Sequence, residues 1–278
     1  MSWKLGTLSI LGKSHIENGV ENQDKCLVFE YRGCAVILVS DGAGSSQYGA
    51  AGASAIIIKI KSKLEKIPKK RFKNIIKNSD FFYEAVKEAV LDVREEILNG
   101  KYYPKNHKFS RFLNIFRKID TIEKTHELRD YSGTLIAAVV SKTGMWSCHI
   151  GDGYLVGGNF SENNIFSQEV ISLPENGEYE NQTYFFTDDN WEKNIKQTSI
   201  DERIDFVIAM TDGADPFLIS SDRKTLDNAI AEKLYNLLTK NQELTVSTIL
   251  SKLFTQDRVH SVSTDDTTIS LALRKLRP

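Results

Sequence analysis

The stretch CAVILVSDGAGSSQYGAAGASAIIIKI, residues 34–60, decides the fold because it joins a strand, a loop and a helix without interruption. An apolar, strand-type run leads directly into Asp41-Gly42, and small and aliphatic residues typical of a packed helix follow. The stretch RIDFVIAMTDGADPF, residues 203–217, has the same design, because its apolar run ends at Asp212-Gly213. The sequence therefore predicts two buried strands that each carry an aspartate and a glycine at the C-terminal end.

The composition is that of a water-soluble protein, with 41% hydrophobic and 26% charged residues among 278. A net charge of −1 gives no basic excess, so we expect no nucleic-acid partner. The three cysteines share no metal-type spacing and suit a reducing compartment. With neither a signal peptide nor an apolar run long enough to cross a bilayer, we expect a cytoplasmic protein without membrane contact.

The order of predicted elements groups strands together and helices together. The predicted strands include residues 3–11, 25–39, 183–188 and a final strand after residue 264, and the predicted helical segments are 48–66, 79–100 and 222–255. Further strands are predicted between residues 133 and 172. Such grouping favours an α+β fold with antiparallel sheets over regularly alternating strand–helix units.

Two further acids lie at strand starts, Asp24 in ENQD and Asp265 in STDDTT. If these strands are neighbours of the first two, four carboxylates converge, and clusters of oxygen ligands suit Mg²⁺ or Mn²⁺. Two such ions can share a water and direct hydroxide at phosphorus. The simpler alternative also stands: an Asp-Gly after a strand is most often a turn, and Asp265-Asp266 can be a solvated turn.

Six motifs in this order carry a family resemblance: ENQD, VSDGAG, YSGTLIAAVV, HIGDGYLVGG, AMTDGADPF and STDDTTISLAL. Together, from about residue 5 to about residue 274, the chain resembles the metal-dependent PPM protein phosphatases, also called type 2C. The segment 173–189 is similar to a bacterial subgroup of that family. The resemblance implies two packed antiparallel sheets flanked by helical pairs, a four-layer αββα sandwich. It also implies one domain over residues 1–278, with a basic insertion at about 101–130 and a flap at about 159–200.

The resemblance also implies a set of metal ligands for two Mn²⁺ or Mg²⁺ ions. Asp41 matches the acid that bridges both ions, Gly42 supplies a carbonyl, and Asp24 closes the far side largely through water. Asp212 and Asp265 match the acids that hold one ion. Asp152 and, with a poorer match in spacing, Asp215 are candidates for a third ion. The motif Ser132-Gly133-Thr134 is expected to pack under this site.

Several positions depart from the family pattern. Gln23 replaces a common glutamate, Gly19 stands where many eukaryotic members have a phosphate-binding arginine, and Ala43 stands where those members have a histidine proposed as general acid. His15 and His260 lie near the motifs and are the candidate substitutes for that acid, although a satisfied or solvated histidine is the simpler interpretation of each.

The resemblance implies hydrolysis of phosphoserine and phosphothreonine on proteins, by a hydroxide that bridges two metal ions. We expect a phosphorylated protein substrate, a cognate serine/threonine kinase as a candidate partner, and a monomer. One alternative is a catalytically weak phosphatase-like domain that binds a kinase or another partner, which Gln23 and Ala43 motivate. Another alternative is hydrolysis of a small phosphorylated molecule by the same chemistry.

Overall fold

The computed structural model describes most of the chain. The described residues are 3–68, 72, 79–102, 126–160, 166–174, 183–240 and 243–274. Much of the basic insertion predicted at about 101–130, and residues 161–165 and 175–182 of the predicted flap, lie outside the described residues.

Within the described residues, the strands form two five-stranded antiparallel sheets. The first sheet has the order β1 (Trp3–Ile10), β10 (Thr267–Arg274), β9 (Phe206–Met210), β6 (Tyr154–Phe160) and β7 (Phe166–Ser172). The second has the order β2 (Lys25–Tyr31), β3 (Cys34–Ser40), β4 (Leu135–Val140), β5 (Met145–Ile150) and β8 (Lys196–Ile200). The two predicted strands that end in Asp-Gly are β3 and β9, so they belong to different sheets.

Helices cover the outer face of each sheet. The helices are α1 (Lys13–Asn18), α2 (Gly49–Lys66), α3 (Ser79–Leu98), α4 (Trp191–Asn194), α5 (Asp215–Leu218), α6 (Asn228–Lys240), α7 (Val246–Leu253) and α8 (Gln256–His260). Helices α2 and α3 pack on the second sheet, and α6 and α7 pack on the first. The predicted α+β fold with four layers is confirmed. No helix in the described ranges combines the length and apolar content that crossing a bilayer requires.

Strand β3 is apolar from Cys34 to Val39 because both of its faces are buried. Val36 and Leu38 pack against α2 and α3, whereas Ile37 and Val39 pack into the layer between the two sheets. Alternation between polar and apolar residues is therefore absent from a strand at the centre of the sandwich. This double burial holds the end of β3, and Asp41 after it, in a fixed position.

The structure corrects several element boundaries. The predicted strand 25–39 is a hairpin of β2 and β3, with Arg32 and Gly33 at φ values of 51° and 81° in its turn. The predicted helical segment 222–255 divides into α6 and α7. Residues 183–188 do not form the predicted strand, because Thr183 makes a single bridge and a turn begins at Phe186. The Phe186 carbonyl accepts from Arg94 on α3, and the Phe186 N–H donates to the carbonyl of Gly133, so these groups are not paired along a sheet. The short helix α1 and strand β8 have no clear signal in the sequence.

A buried histidine links the two sheets from inside the sandwich. Nδ1 of His149 on β5 lies 2.7 Å from the hydroxyl oxygen of Ser172 on β7. Burial lowers the pKa of His149 to about 3, since the charged imidazole is poorly solvated there. His149 is thus neutral and has a structural role.

Candidate metal centre

Three carboxylates from both sheets meet at one edge of the sandwich. Asp41 follows β3, Asp212 follows β9, and Asp152 lies in the turn that carries the chain from β5 in one sheet to β6 in the other. One carboxylate oxygen from each of these residues lies within 4.8 Å of the others. Such an arrangement can hold a cation, because like charges at this separation repel each other strongly unless a positive charge lies between them.

Asp24 is buried beside Asp41, with 3% of its surface exposed. The hydroxyl of Thr211 donates to its Oδ2 at 2.8 Å, whereas Oδ1 is buried and has no hydrogen-bond partner within the described residues. Burial raises the pKa of Asp24 to about 6. Burial, and then the negative charge of Asp24, raises the pKa of Asp41 well above its ordinary value.

Asp212, like Asp24, has a carboxylate oxygen without a hydrogen-bond partner among the described residues. This oxygen is Oδ1, and it is buried. Burial, followed by repulsion from Asp152 and Asp265, raises its pKa to about 7. Buried polar atoms are almost always paired, and a buried carboxylate is costly unless it is neutralised. The unpartnered oxygens and the raised pKa values are what a divalent cation with oxygen ligands would correct, so these residues fit such an ion.

The acids open onto a cleft of about 310 Å³. Its wall includes Asp41, Gly42, Asp152, Asp212, Asp265 and His15. Asp24 lies behind this wall and does not reach the cavity. Among the described residues on the wall there is no lysine or arginine, so without bound cations the acidic cleft would repel a phosphate dianion. A phosphate can therefore enter favourably only after cations have bound.

Backbone contacts hold the aspartate–glycine turn after β3. Thr134 brackets Asp41, because its Oγ1 accepts from the Asp41 N–H at 3.0 Å and its own N–H donates to the Asp41 carbonyl at 2.8 Å. A Cβ on Gly42 would lie 2.4 Å from the backbone of Gly49, so only glycine fits there. The motif Ser132-Gly133-Thr134 therefore packs under the cleft, as predicted.

Two of the predicted site residues lie elsewhere. Asp215 is the first residue of α5, and its Oδ2 accepts from the hydroxyl of Tyr154 at 3.4 Å. His260 ends α8, and its Nε2 lies 2.9 Å from the carbonyl oxygen of Leu11. Neither residue lines the cleft. The side chain of Asp215 is instead engaged with Tyr154, and the ring of His260 with the backbone of Leu11.

Sequence reasoning assigned no role to two residues that organise the cleft. Asp266 is 2% exposed, and its side chain accepts from the backbone N–H groups of Gly12 at 2.7 Å and Gln23 at 2.6 Å. The signal for Asp266 was its position directly before the fully buried strand β10. The hydroxyl of Thr183 donates to Oδ2 of Asp152 at 2.5 Å, and no pattern in the sequence pointed to that contact.

The turn at residues 183–189 is fastened beside the cleft. Thr183 and Phe185 line the cavity, and the fully buried ring of Phe186 packs into the core under α2 and α3. Nη1 of Arg94 on α3 donates to the carbonyl oxygens of Phe186 at 3.2 Å and Asp188 at 2.9 Å. Helix α3 thus positions one wall of the cleft, although it lies on the outer face of the sheet.

Comparisons with known proteins agree with this fold. The sequence model of a family described as protein phosphatase 2C matches residues 11–254. Serine/threonine-protein phosphatase 3 from Escherichia coli (strain K12) is 24% identical over 288 residues, which is 98% of this chain and 99% of the relative. The crystal structure of a bacterial serine phosphatase superposes with a TM-score of 0.60 at 13% identity, covering 100% of both chains. A serine/threonine phosphatase from S. agalactiae gives a TM-score of 0.60 at 12% identity, covering 99% of this chain and 100% of that one.

Proposed function

The chain belongs to the protein phosphatase 2C family, and we propose that it hydrolyses phosphoserine and phosphothreonine on proteins with two divalent metal ions. Family membership identifies it as a protein serine/threonine phosphatase. The number of ions, the residues that hold them and the use of water as nucleophile are the parts that we propose. Mn²⁺ and Mg²⁺ are the ions that best match a site made only of oxygen ligands.

The observation that carries the proposal is the pair of unpartnered buried oxygens, Oδ1 of Asp24 and Oδ1 of Asp212, beside acids of raised pKa. The residues that would hold the two ions are Asp24, Asp41, Gly42, Asp212 and Asp265, with Asp152 available for a third. When bound, the ions supply a water of lowered pKa as nucleophile and neutralise the charge that develops on the phosphoryl oxygens.

The chain's own residues prepare the cleft for this chemistry. Thr134 and Gly42 fix the backbone of Asp41, and Thr211 fixes one oxygen of Asp24, so the acids need little reorganisation when a ligand arrives. The acidic wall makes cation binding a precondition for phosphate binding. A cleft of about 310 Å³ is large enough for a phosphorylated side chain presented from the surface of another protein.

The alternative of a phosphatase-like binding module receives less support. A chain without metal chemistry gains nothing from buried, mutually repelling carboxylates, which destabilise the folded state at neutral pH. Ala43, one of the departures that motivated this alternative, has no proton to donate, so the phosphatase needs another proton donor.

The deciding experiment is hydrolysis of a phosphothreonine peptide by the purified chain with Mn²⁺, with Mg²⁺ and with EDTA. We expect turnover with either metal and none with EDTA, because the cleft repels phosphate without cations. Binding of metal in calorimetry without turnover of any phosphopeptide would contradict the proposal and favour the binding module.

Further parts of the proposal concern the chain as a whole. We propose that residues 1–278 form one phosphatase domain in which the segment at about 159–200 is the flap. Pairing of β1 with β10 ties the start of the described chain to its end and supports this view. We also propose a monomer in the cytoplasm that acts on the products of a cognate kinase. The three free cysteines, Cys26, Cys34 and Cys148, are compatible with a reducing compartment.

The Arg94→Met variant is expected to lose about 2 kcal/mol of unfolding free energy, because two carbonyls lose a charged donor. We also expect kcat/KM on the phosphopeptide to fall about tenfold, since Thr183 and Phe185 would no longer be held at the cleft wall. Urea unfolding and steady-state kinetics check the two effects.

The matched control for Arg94→Met is Lys87→Met, also on α3. Lys87 forms an ion pair of 2.7 Å with Glu192, next to the same turn but at the surface. Its loss should change the unfolding free energy by less than about 0.5 kcal/mol. Equal behaviour of the two variants would show that Arg94 does not position the cleft wall.

A further inference from the structure

We propose that His15 donates the proton to the departing serine or threonine oxygen, and that Asp266 is the positioning residue that orients His15. This inference rests on the proposed function. It assigns a proton donor in a cleft where Ala43 stands at the position for which the family resemblance implies a histidine. His15 comes from α1, a six-residue helix that no sequence pattern indicated.

The first observation is the contact between His15 and a buried carboxylate. Nδ1 of His15 lies 3.0 Å from Oδ1 of Asp266, and the side chains are 15% and 2% exposed. Asp266 also accepts two backbone N–H groups, from Gly12 and Gln23. These two donors hold the carboxylate in one orientation and offset the cost of its burial. His15 therefore faces an acceptor that cannot rotate away.

The second observation is how tightly α1 is attached to the loop that carries Asp266. The N–H and the hydroxyl of Ser14 both donate to the carbonyl of Thr264, at 3.0 Å and 2.7 Å. A Cβ on Gly12 would lie 2.5 Å from the carbonyl carbon of Asp265, so the two segments are in direct backbone contact. The distance from His15 to Asp266 is thus set by the backbone rather than by flexible side chains.

The third observation is the chemistry of the cleft wall. Of the described residues on that wall, the ionisable ones are His15 and the four acids Asp41, Asp152, Asp212 and Asp265. The acids are accounted for by the proposed cation sites, and the described wall carries no lysine, arginine, tyrosine or cysteine. His15 is therefore the ionisable group left for proton transfer to a substrate.

The pairing with Asp266 also determines which ring nitrogen serves the substrate. Nδ1 of His15 is buried 3.0 Å from Oδ1 of Asp266, where it forms a short ion-pair contact but no hydrogen bond among the described residues. Because this contact closes Nδ1 off from the cleft, we assign the proton exchanged with the substrate to Nε2.

The proposed step is hydrolysis of the phosphate ester by one water. The oxygen of one water forms a bond to phosphorus while the bond from phosphorus to the serine or threonine oxygen breaks. The electron pair of the broken bond goes to that oxygen, which takes the Nε2 proton of His15 and leaves as an alcohol. The attacking water loses its proton to solvent, and His15 regains a proton from solvent. The products are inorganic phosphate and the dephosphorylated protein.

The test compares two substrates that differ in their need for a proton. The phosphothreonine peptide releases an alkoxide that must be protonated, whereas p-nitrophenyl phosphate releases a stable phenolate that leaves without a proton. We expect His15→Asn to lower kcat on the peptide by about 10²- to 10⁴-fold and to change kcat on p-nitrophenyl phosphate by less than about threefold. Asp266→Asn should lower kcat on the peptide alone, by about tenfold.

Controls separate this effect from a loss of structure. His126→Asn alters a histidine that packs against Gly100 at the end of α3, far from α1 in the sequence, and should leave both activities unchanged. His15→Gln provides a second variant if Asp266→Asn does not fold, as judged by circular dichroism with Mn²⁺ present. Equal losses on the two substrates, or full activity on both, would overturn the role of His15. Absence of metal-dependent turnover by the wild type on both substrates would instead overturn the proposed function, and this inference with it.

Discussion

The Asp212→Asn variant is expected to lose at least about 10³-fold in kcat/KM on the phosphothreonine peptide with Mn²⁺, because removing one ligand charge forfeits several kcal/mol of transition-state stabilisation. Asp212 lies at the meeting point of the two sheets, with an unpartnered Oδ1 and a pKa raised to about 7 by burial and by Asp152 and Asp265. An amide at this position retains the shape but supplies neither the charge nor an equivalent ligand. Steady-state kinetics over a range of Mn²⁺ concentrations measures the loss.

The matched control for this variant is Asp215→Asn, three residues further along the chain. Asp215 follows the same turn but bonds to Tyr154 at 3.4 Å and does not line the cleft. We therefore expect its activity to stay within about threefold of the wild type. A loss in Asp215→Asn as large as that in Asp212→Asn would show that α5 contributes to the metal site after all.

The second large effect concerns the stability of the protein with and without metal. In EDTA at pH 7.5, Asp41→Asn is expected to unfold at a higher temperature than the wild type, because burial and the charge of Asp24 raise the pKa of Asp41. With Mn²⁺ at 100 times its dissociation constant, the wild type should gain about 2.7 kcal/mol, or about 5 °C for a chain of this size. Mn²⁺ should stabilise Asp41→Asn much less, because this variant lacks a proposed metal ligand. Differential scanning calorimetry measures both effects.

The stability difference between Asp41→Asn and the wild type in EDTA should depend on pH in one direction. Carboxyls whose pKa is raised in the folded state, such as Asp24 at about 6 and Asp212 at about 7, bind more protons when folded than when unfolded. Their crowding therefore costs stability as the pH rises from about 4 through 7, and the cost disappears at lower pH. The advantage of Asp41→Asn in EDTA should shrink as the pH falls. An advantage that grows on acidification would contradict the assigned electrostatics.

His149 changes the stability in the opposite direction as the pH falls, so its contribution has to be separated from that of the acids. Its pKa is lowered to about 3 in the folded state, so the unfolded chain binds its proton first and stability falls as the pH drops below about 6.5. His149 is present in both the wild type and Asp41→Asn. The difference between the two proteins at each pH therefore removes its contribution and isolates that of Asp41.

Much of the fold could be predicted because its signals are local. The apolar run before Asp41 predicted a buried strand, and the structure shows that both faces are buried, with Val36 and Leu38 on one and Ile37 and Val39 on the other. Helices α2 and α3 were predicted from their apolar residues. In the structure, Gly100 follows the end of α3 with a φ of 70°. Residues 183–188 show the limit, because aromatic content predicted a strand where Arg94 holds a turn.

For the candidate site, the sequence by itself determined that Asp41 and Asp212 end buried strands, since strand periodicity and turn chemistry depend on near neighbours in the chain. Only the tertiary structure decided which acids share the cleft with them. It brought Asp152 to the cluster and turned Asp215 toward Tyr154. It also placed His15 beside Asp266, 251 residues away in the chain by their numbering. Such contacts depend on how two sheets and a short helix pack together, and packing between distant segments leaves no periodic pattern in a single sequence.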